Sequence, residues 1–397
     1  MLYYHRDSAS FIILSHGKYL YSLDQLPLTI ASDDGLLLGL PQVSMLPNPS
    51  IDITAVVLTT DIDLAMLRDC LASIVDSAAE GNLSCETILI DNASRSRVCD
   101  WVAAHFPTVI VLRFETTVGF SAGNNAGYRI SRGRYLLQLN NDTEIHGNAL
   151  RRMTDFLDAH PETGALGPRL INPDGSLQIG YYARSFPTFT YDTFHLFWIH
   201  RLFPRNLSLR RQMLLDEPDI TREVDEPAGA SLFYRRDVLF GVGLLDEDYG
   251  FAFDDVDVCF RIKGAGWNIF YLAEAEVTHY GGASLKKSTA DMTQYYLNGL
   301  LTFYQKNRPS EVFFMMRLIV IAAILFRIPI LFVVTYILGK RRWRGNISKY
   351  LRQLRHVVTS LYGGYRPDVF AHAVPGLIVR PDAGDVVSRP GTTAFPT

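Results

Sequence analysis

Three carboxylates stand close together in the segment Phe251–Arg261. Asp254, Asp255 and Asp257 are interleaved with apolar residues, which predicts a helix or turn packed on a core. Crowded carboxylates raise each other's pKa, and a carboxyl group tuned in this way suits a general base. Acidic residues also stabilise the first turn of an ordinary helix. The segment taken alone therefore leaves a catalytic and a structural interpretation open.

A further carboxylate follows an apolar strand-like run. Asn140, Asn141 and Asp142 come directly after Tyr135–Leu139. A carboxylate at a strand end can hold Mg²⁺ or Mn²⁺, which prefer oxygen ligands and keep substrate phosphates among them. His279 ends a later apolar run and could bind the same cation or contact a diphosphate, although a lone histidine is often structural. Asn-Asn-Asp is also a common turn sequence.

The segment Val118–Gly127 carries glycines at a spacing of four. Gly119, Gly123 and Gly127 would share one face of a helix, which lets a backbone or a ligand approach closely. The spacing does not match the dinucleotide-binding pattern. The start of this helix could face a diphosphate, or the glycines could serve tight packing alone.

The elements that position these groups are predicted from the pattern of apolar and polar residues between residues 51 and 150. β-Branched and apolar runs alternate with segments of helical spacing, as in a parallel sheet covered by helices on both faces. In such a sheet, ligands bind at the carboxyl ends of the strands. The polar residues collect at these ends, among them Thr59, Asp61 and Asp91. The predicted strands are Ile53–Thr59, Thr87–Ile90, Val109–Arg113 and Tyr135–Leu139, and the predicted helices are Leu64–Ala78, Val98–His105 and Gly119–Arg129.

Composition excludes several classes of protein. The chain has 397 residues, 48% of them hydrophobic, and a net charge of −3, which excludes a wholly disordered chain and disfavours a nucleic-acid partner. The four cysteines, Cys70, Cys85, Cys99 and Cys259, form no CxxC pair and are expected to be reduced thiols in a cytosolic compartment. The N-terminal residues lack the pattern of a secretory signal.

The C-terminal part changes character. Residues 312–338 are almost entirely apolar and exceed the roughly 20 residues that span a bilayer. Arg317, Arg327 and Pro329 interrupt the run, which leaves a kinked span, a re-entrant hairpin, an interfacial pair and a buried core helix open. Lys340–Arg355 has seven basic residues and no acidic one. We expect it to form an amphipathic helix on an anionic, cytoplasmic membrane surface.

These shifts suggest four parts. Residues 1–50 are an N-terminal appendage, 51–308 the α/β domain, 309–360 the apolar segment with the basic helix, and 361–397 a loosely ordered tail. Residues 285–308 are predicted to be a helix packed back on the domain. The aromatic stretch Phe186–Phe203 could cover the site or meet lipid.

Taken in order, the motifs between residues 52 and 285 resemble the inverting family 2 glycosyltransferases of the GT-A fold. The closest resemblance is to the rhamnosyltransferase-like branch. It implies that Asp142, with His279, carries a divalent cation in place of the family's DxD motif. It implies a catalytic base at Asp255 or Asp254, and Asp257 is a candidate for the acceptor site. The residues that it assigns to the nucleotide-sugar are Thr59, Asp61, Asp91, Gly119, Phe120, Gly123, Asn124, Asn140 and Asn141.

The resemblance also implies an activity. The expected reaction moves a sugar, with dTDP-rhamnose as the first candidate donor, from a nucleoside diphosphate to a lipid-linked or glycan acceptor. It would serve bacterial surface polysaccharide synthesis at the cytoplasmic face of the plasma membrane. The family's Tyr-Asn after Thr59 is missing, and Asn140 replaces the first aspartate of the DxD motif. The alternative is therefore an inactive, membrane-attached binding or assembly subunit. A processive synthase is disfavoured, since several spanning helices and a Q-x-x-R-W motif are not visible.

Overall fold

The computed structural model of the chain describes residues 2–4, 11–13, 51–61, 63–178, 183–199, 218–249, 252–281, 292–337, 344–363 and 377–379. Most strands belong to one large central sheet, and two small two-stranded sheets lie apart from it. The strands are β1 (Leu2–Tyr4), β2 (Phe11–Ile13), β3 (Ile53–Thr59), β4 (Cys85–Asn92), β5 (Ile110–Phe114), β6 (Tyr135–Asn140), β7 (Thr143–Ile145), β8 (Thr163–Ile171), β9 (Ala183–Arg184), β10 (Arg222–Glu223), β11 (Glu226–Pro227), β12 (Ser231–Arg235), β13 (Asn268–His279) and β14 (Leu377–Val379).

One half of the sheet is parallel, in the order β6-β3-β4-β5. Its strands are continuous apolar runs buried on both faces, as parallel strands covered by helices must be. The register places Thr59 beside Asp91, and Leu58 beside Asn140. The carboxyl ends of three neighbouring strands therefore lie side by side.

The other half of the sheet is mixed. β12 runs antiparallel to both β6 and β8, while β13 runs parallel to β8 and antiparallel to β7. The predicted α/β class with a GT-A type of central sheet is confirmed, but the parallel arrangement holds only for β3–β6 and the β8–β13 pair. The reason is that β12 is inserted in reverse between β6 and β8. This insertion brings the segment before β12 to the site, where the Asn140 amide donates to the Ala230 carbonyl at 2.9 Å.

Helices cover both faces of the sheet, as predicted. Three of them pack on one face, namely α1 (Leu64–Glu80), α2 (Val98–His105) and α4 (Ala149–Ala159). Three others pack on the opposite face, namely α3 (Phe120–Ile130), α6 (Arg236–Gly241) and α7 (Asp254–Gly264). All four cysteines are free thiols.

A third core joins the C-terminal helices to the site-bearing domain. It contains α5 (Phe189–Leu196), α8 (Met292–Asn307), α9 (Ser310–Phe332), a π-helical turn (Val333–Ile337) and α10 (Arg344–Gly363). The start of α7 packs into the same core. The aromatic stretch before residue 200 thus supplies a helix to this core, and its remainder lies outside the described residues.

The predicted appendage and tail are described only in part. β1 pairs with β2, and the rest of residues 1–50 lies outside the described residues. Within the predicted tail, β14 pairs antiparallel with β5 and extends the edge of the central sheet.

Candidate functional site

The site begins at the carboxyl ends of β3, β4 and β6. Asn141 donates from Nδ2 to the Thr59 hydroxyl at 2.9 Å, so the loop after β6 is bound to the end of β3. Both side chains are buried. The register alone predicts this proximity, because neighbouring parallel strands end at one edge.

Asp91 is fully buried at the end of β4. Its carboxylate accepts hydrogen bonds from the Ser94 amide at 2.9 Å and the Cys99 thiol at 3.0 Å. The Arg113 guanidinium lies 3.7 Å from it. Burial and the neighbouring carboxylate raise the pKa of Cys99 to about 12, so the thiol keeps the proton that it donates. These contacts hold the Asp91 carboxylate in place at the end of β4, where the nucleotide is predicted to bind.

Asp61 connects two loops at the same end. Its exposed carboxylate accepts from the backbone amides of Arg95 and Ser96 at 2.8 and 3.2 Å. These bonds fasten the loop after β3 to the loop after β4, a role that the sequence did not reveal.

The glycine-rich segment forms the start of α3, with Gly119 preceding the helix. A Cβ atom on Gly123 would lie 2.4 Å from Leu58, and one on Gly127 would lie 2.7 Å from Val56. These two glycines therefore allow α3 to pack directly on β3. Asn124 is buried and donates to the carbonyl of Phe120 at 2.9 Å, within the first turn of the helix.

Asp142 and His279 meet across the β7–β13 pair. His279 Nε2 lies 3.5 Å from Asp142 Oδ1, and both side chains are buried. Gln178 fixes the imidazole, since its Nε2 donates to the His279 carbonyl at 2.9 Å and its Oε1 lies 2.7 Å from Nδ1. The amide oxygen can only accept, so Nδ1 carries a proton, and Nε2 is the ring nitrogen that has the lone pair in a neutral imidazole. This nitrogen faces the carboxylate.

This pair is the donor set available for a cation. Two atoms 3.5 Å apart can both contact one ion, because ligand bonds to Mg²⁺ are about 2.1 Å long. Within the described residues, no group of three or more His, Cys, Asp or Glu could hold a metal. One carboxylate and one neutral imidazole fit an ion whose remaining ligands are water and substrate phosphates.

The three carboxylates of α7 occupy different surroundings. Asp255 accepts from the Gly229 amide at 3.0 Å and lies 3.7 Å from the Arg184 guanidinium, and its side chain remains 15% exposed. A Cβ atom on Gly229 would lie 2.7 Å from this carboxylate, so glycine is required there.

The other two carboxylates are buried. Burial, together with the adjacent Asp255, raises the pKa of Asp254 well above its usual range, which favours the neutral acid. Asp257 pairs with Arg261 at 2.7 Å and accepts from the Tyr249 hydroxyl at 3.2 Å. The structure thus gives Asp257 partners inside the protein, and a role at the acceptor site stays a prediction.

Arg184 and Glu226 complete the surroundings of Asp255. Arg184 contacts buried Glu226 at 2.5 Å across the β9–β11 pair. Burial raises the pKa of Glu226 to about 8 despite the guanidinium beside it. The Arg184 guanidinium thus lies between the carboxylates of Glu226 and Asp255.

Sequence reasoning missed four residues of this site, namely Gln178, Arg184, Glu226 and Gly229. They lie between β8 and β12, where periodicity is weak. Of the four, Gly229 alone has a local signal in the sequence, because it directly precedes the largely apolar segment 230–234.

Residues 56–217 match the family described as Glycosyl transferase family 2. The chain is 28% identical over 228 residues to the N-acetylglucosaminyl-diphospho-decaprenol L-rhamnosyltransferase of Mycobacterium tuberculosis, a match that covers 51% of this chain and 69% of that protein. It is 26% identical over 237 residues to the O-antigen biosynthesis protein RfbC of Myxococcus xanthus, covering 58% of this chain and 18% of that one.

A solved structure, GalNAc-T7 with UDP, GalNAc and Mn²⁺, aligns with a TM-score of 0.46 and 12% identity over 80% of this chain and 59% of that chain. The chain spans between 18% and 69% of the curated relatives it matches. Residues 56–217 of the chain are thus similar to glycosyl transferase family 2. The match to family 2 glycosyltransferases that the motifs predict is confirmed over this segment.

Proposed function

We propose that the protein transfers a sugar from a nucleoside-diphosphate sugar to a hydroxyl of a lipid-linked or glycan acceptor, with inversion at the anomeric carbon. The observation that carries this proposal is the placement of Asp255. Of the three carboxylates in α7, it is the one that combines partial exposure with a neighbouring cation. Environments that separate identical side chains in this way assign acid and base roles.

Asp255 acts as the general base in this proposal. Its carboxylate removes the proton of the acceptor hydroxyl while that oxygen attacks the anomeric carbon, and the nucleoside diphosphate leaves from the opposite face. The Gly229 amide and Arg184 hold the carboxylate in place. One displacement inverts the anomeric centre, and no covalent enzyme intermediate forms.

The donor is proposed to lie along the strand ends. Asp91 and Thr59 stand where the base and ribose would bind, and Asn124 and the start of α3 stand beside the diphosphate. Asp142 and His279 would hold a divalent cation, which supplies positive charge to the departing diphosphate when bound. Rhamnose from dTDP-rhamnose is the first candidate sugar, because the mycobacterial relative is named a rhamnosyltransferase.

The acceptor side is proposed to face a membrane at its cytoplasmic surface. In the described part of the chain, one helix, Ser310–Ile337, is long and apolar enough to cross a membrane. Arg317 and Arg327 point inward, where Arg327 donates to the Tyr350 hydroxyl at 2.9 Å. The outer face is apolar, with exposed side chains at Phe314, Leu318, Leu325, Phe326, Phe332 and Tyr336.

Charge supports this orientation. Arg352 and Arg355 are exposed on α10, which packs against α9. An apolar face beside basic residues fits an anionic bilayer surface.

Sedimentation with phosphatidylglycerol vesicles tests the proposed membrane face. Leu325→Ser should reduce binding, whereas Ile220→Ser, an equally exposed apolar residue elsewhere, should not. Equal binding by both variants and the wild type would contradict the membrane face.

The activity is tested with purified protein in detergent. A panel of dTDP-, UDP- and GDP-sugars is supplied with Mn²⁺ or Mg²⁺, with and without membrane lipid extract, and release of nucleoside diphosphate is followed. Release from one donor that EDTA abolishes and lipid extract stimulates is the expected result. Metal-dependent donor binding without any release, by folded protein with lipid present, would favour the inactive binding subunit instead.

A further inference from the structure

The backbone immediately before the α7 carboxylates adopts an unusual conformation. Ala252 and Phe253 both have positive φ, at 67° and 69°, although neither is glycine. Phe253 is the residue that precedes the first turn of α7. Residues with side chains adopt this left-handed region only when the surrounding structure holds them there. The orientation of Asp254 and Asp255 therefore depends on whatever holds this turn.

The Phe253 ring is held by helix α8. A Cβ atom on Gly299 would lie 2.7 Å from the ring of Phe253 and 2.9 Å from its Cβ, so the ring lies directly on the glycine backbone. The ring also packs edge-on against Tyr296 with centroids 5.4 Å apart. Phe253 is 7% exposed. Gly299 thus forms the seat into which the side chain of the left-handed residue fits.

Further contacts join α8 to the same region. Asn307 donates to the Asp257 carboxylate at 3.4 Å, and Lys306 lies 2.5 Å from Asp246 in the loop that precedes α7. On its other side, α8 is bound to α10, because Gln353 donates to Asn298 at 3.0 Å in a buried contact. Asn298 directly precedes Gly299. The helices with the apolar outer face are therefore connected to the base by a short series of packed contacts.

We infer that α8 is a positioning element for the proposed base, and that Gly299 and Phe253 are positioning residues through which it acts. The Gly299 seat keeps the Ala252–Phe253 turn left-handed, and the turn aims the first turn of α7 so that Asp255 reaches Gly229 and Arg184. The C-terminal helices then contribute to sugar transfer as well as to attachment. This inference rests on the proposed function, since it gives Asp255 a catalytic task.

The test compares two glycine-to-alanine variants of the full chain in detergent. In Gly299→Ala, the new methyl group displaces the Phe253 ring. In Gly264→Ala, at the far end of α7, the methyl group meets nothing within 4 Å. Turnover and donor KM are measured with the donor and lipid extract, and hydrogen exchange is measured for the amides of residues 256–258. Gly299→Ala should lower kcat at least ten-fold with a donor KM within two-fold of wild type, and accelerate this exchange. Gly264→Ala should change neither.

A compensating variant separates positioning from general damage. Gly299→Ala combined with Phe253→Gly removes both the ring and the Cβ atom that the methyl group would meet. Glycine adopts a positive φ without a side chain to hold it, so this variant should recover a large part of kcat. If Gly299→Ala does not fold, Phe253→Leu alone replaces it, with slower turnover and faster exchange expected. Turnover and exchange equal to those of Gly264→Ala would overturn the inference. If the wild type transfers no sugar from any donor, the proposed function fails, while the exchange comparison still decides whether α8 holds the turn.

Discussion

Replacing each α7 carboxylate by its amide should give three different results, because the three groups have different surroundings. Asp255→Asn removes the base. General-base catalysis contributes roughly 10²–10⁴-fold, so kcat should fall by that factor, or about 3–5 kcal/mol of transition-state stabilisation. The donor KM should change little, since the asparagine side chain still accepts from the Gly229 amide. It also lies away from the strand ends where the nucleotide is proposed to bind.

Asp254→Asn and Asp257→Asn are the matched comparisons. Burial favours the neutral form of Asp254, and an amide is a close neutral replacement, so kcat should stay within about three-fold of wild type. Asp257→Asn leaves Arg261 without its charged partner. This pair is partly buried, since the Arg261 side chain is 26% exposed. Its loss should cost about 1–3 kcal/mol and lower Tm by roughly 2–10 °C, with kcat of the folded fraction preserved.

The assay is nucleoside-diphosphate release under saturating donor, with Tm from a thermal unfolding scan on the same samples. Donor KM and kcat are read separately because a base affects kcat, whereas a donor contact affects KM. The reasoning is refuted if Asp254→Asn is as inactive as Asp255→Asn while both retain the wild-type Tm. In that case, exposure and the neighbouring Arg184 would not identify the base.

Three further predictions concern the cation, the packing of α3 and the effect of pH. Gln178→Leu should weaken Mn²⁺ binding 10–100-fold by titration, because the imidazole loses the partner that fixes its tautomer, and unchanged affinity would argue against the Asp142 pair as the cation site. Gly123→Ala should cost roughly 1–3 kcal/mol in denaturant unfolding, since the methyl group meets β3, whereas Gly241→Ala meets nothing within 4 Å and should be nearly neutral. Burial raises the pKa of Asp192 from 3.8 to about 7, so the native state binds the proton more tightly than the unfolded state does. The free energy of unfolding of the wild type should therefore fall relative to that of Asp192→Asn as pH rises from 4 to 7. A difference between the two free energies that is constant across this range would contradict the prediction.

The elements of the domain could be predicted from the sequence because their signals are local. Ile53–Thr59 and Val98–His105 begin and end where the patterns place them, and Tyr135–Asn140 is one residue longer than predicted. A buried parallel strand must be apolar on both faces, and a covering helix must be apolar on one face. Each element can therefore be recognised from a short stretch of sequence. The strand-end motifs follow from the same logic, since parallel strands end at one edge.

The tertiary structure determined the different surroundings of the three α7 carboxylates, which no local sequence pattern encodes. The sequence determined that Asp254, Asp255 and Asp257 occur together, but only packing against Gly229, Arg184 and Arg261 distinguishes them. These partners lie distant in the chain or depend on which side of a helix turn faces the core. Burial and the charge at a given atom are sums over such distant neighbours.

The same holds for the apolar C-terminal run. Its composition predicted a long apolar segment with two arginines that are unfavourable in a bilayer. Four arrangements of this segment remained open. The fold turns Arg317 and Arg327 toward the protein, where Arg327 meets Tyr350 and the ring of Trp198, and leaves an uninterrupted apolar face outside. The sequence thus specified the helix, while its neighbours specified its orientation, because a charged side chain inside an apolar region requires partners that only the folded chain supplies.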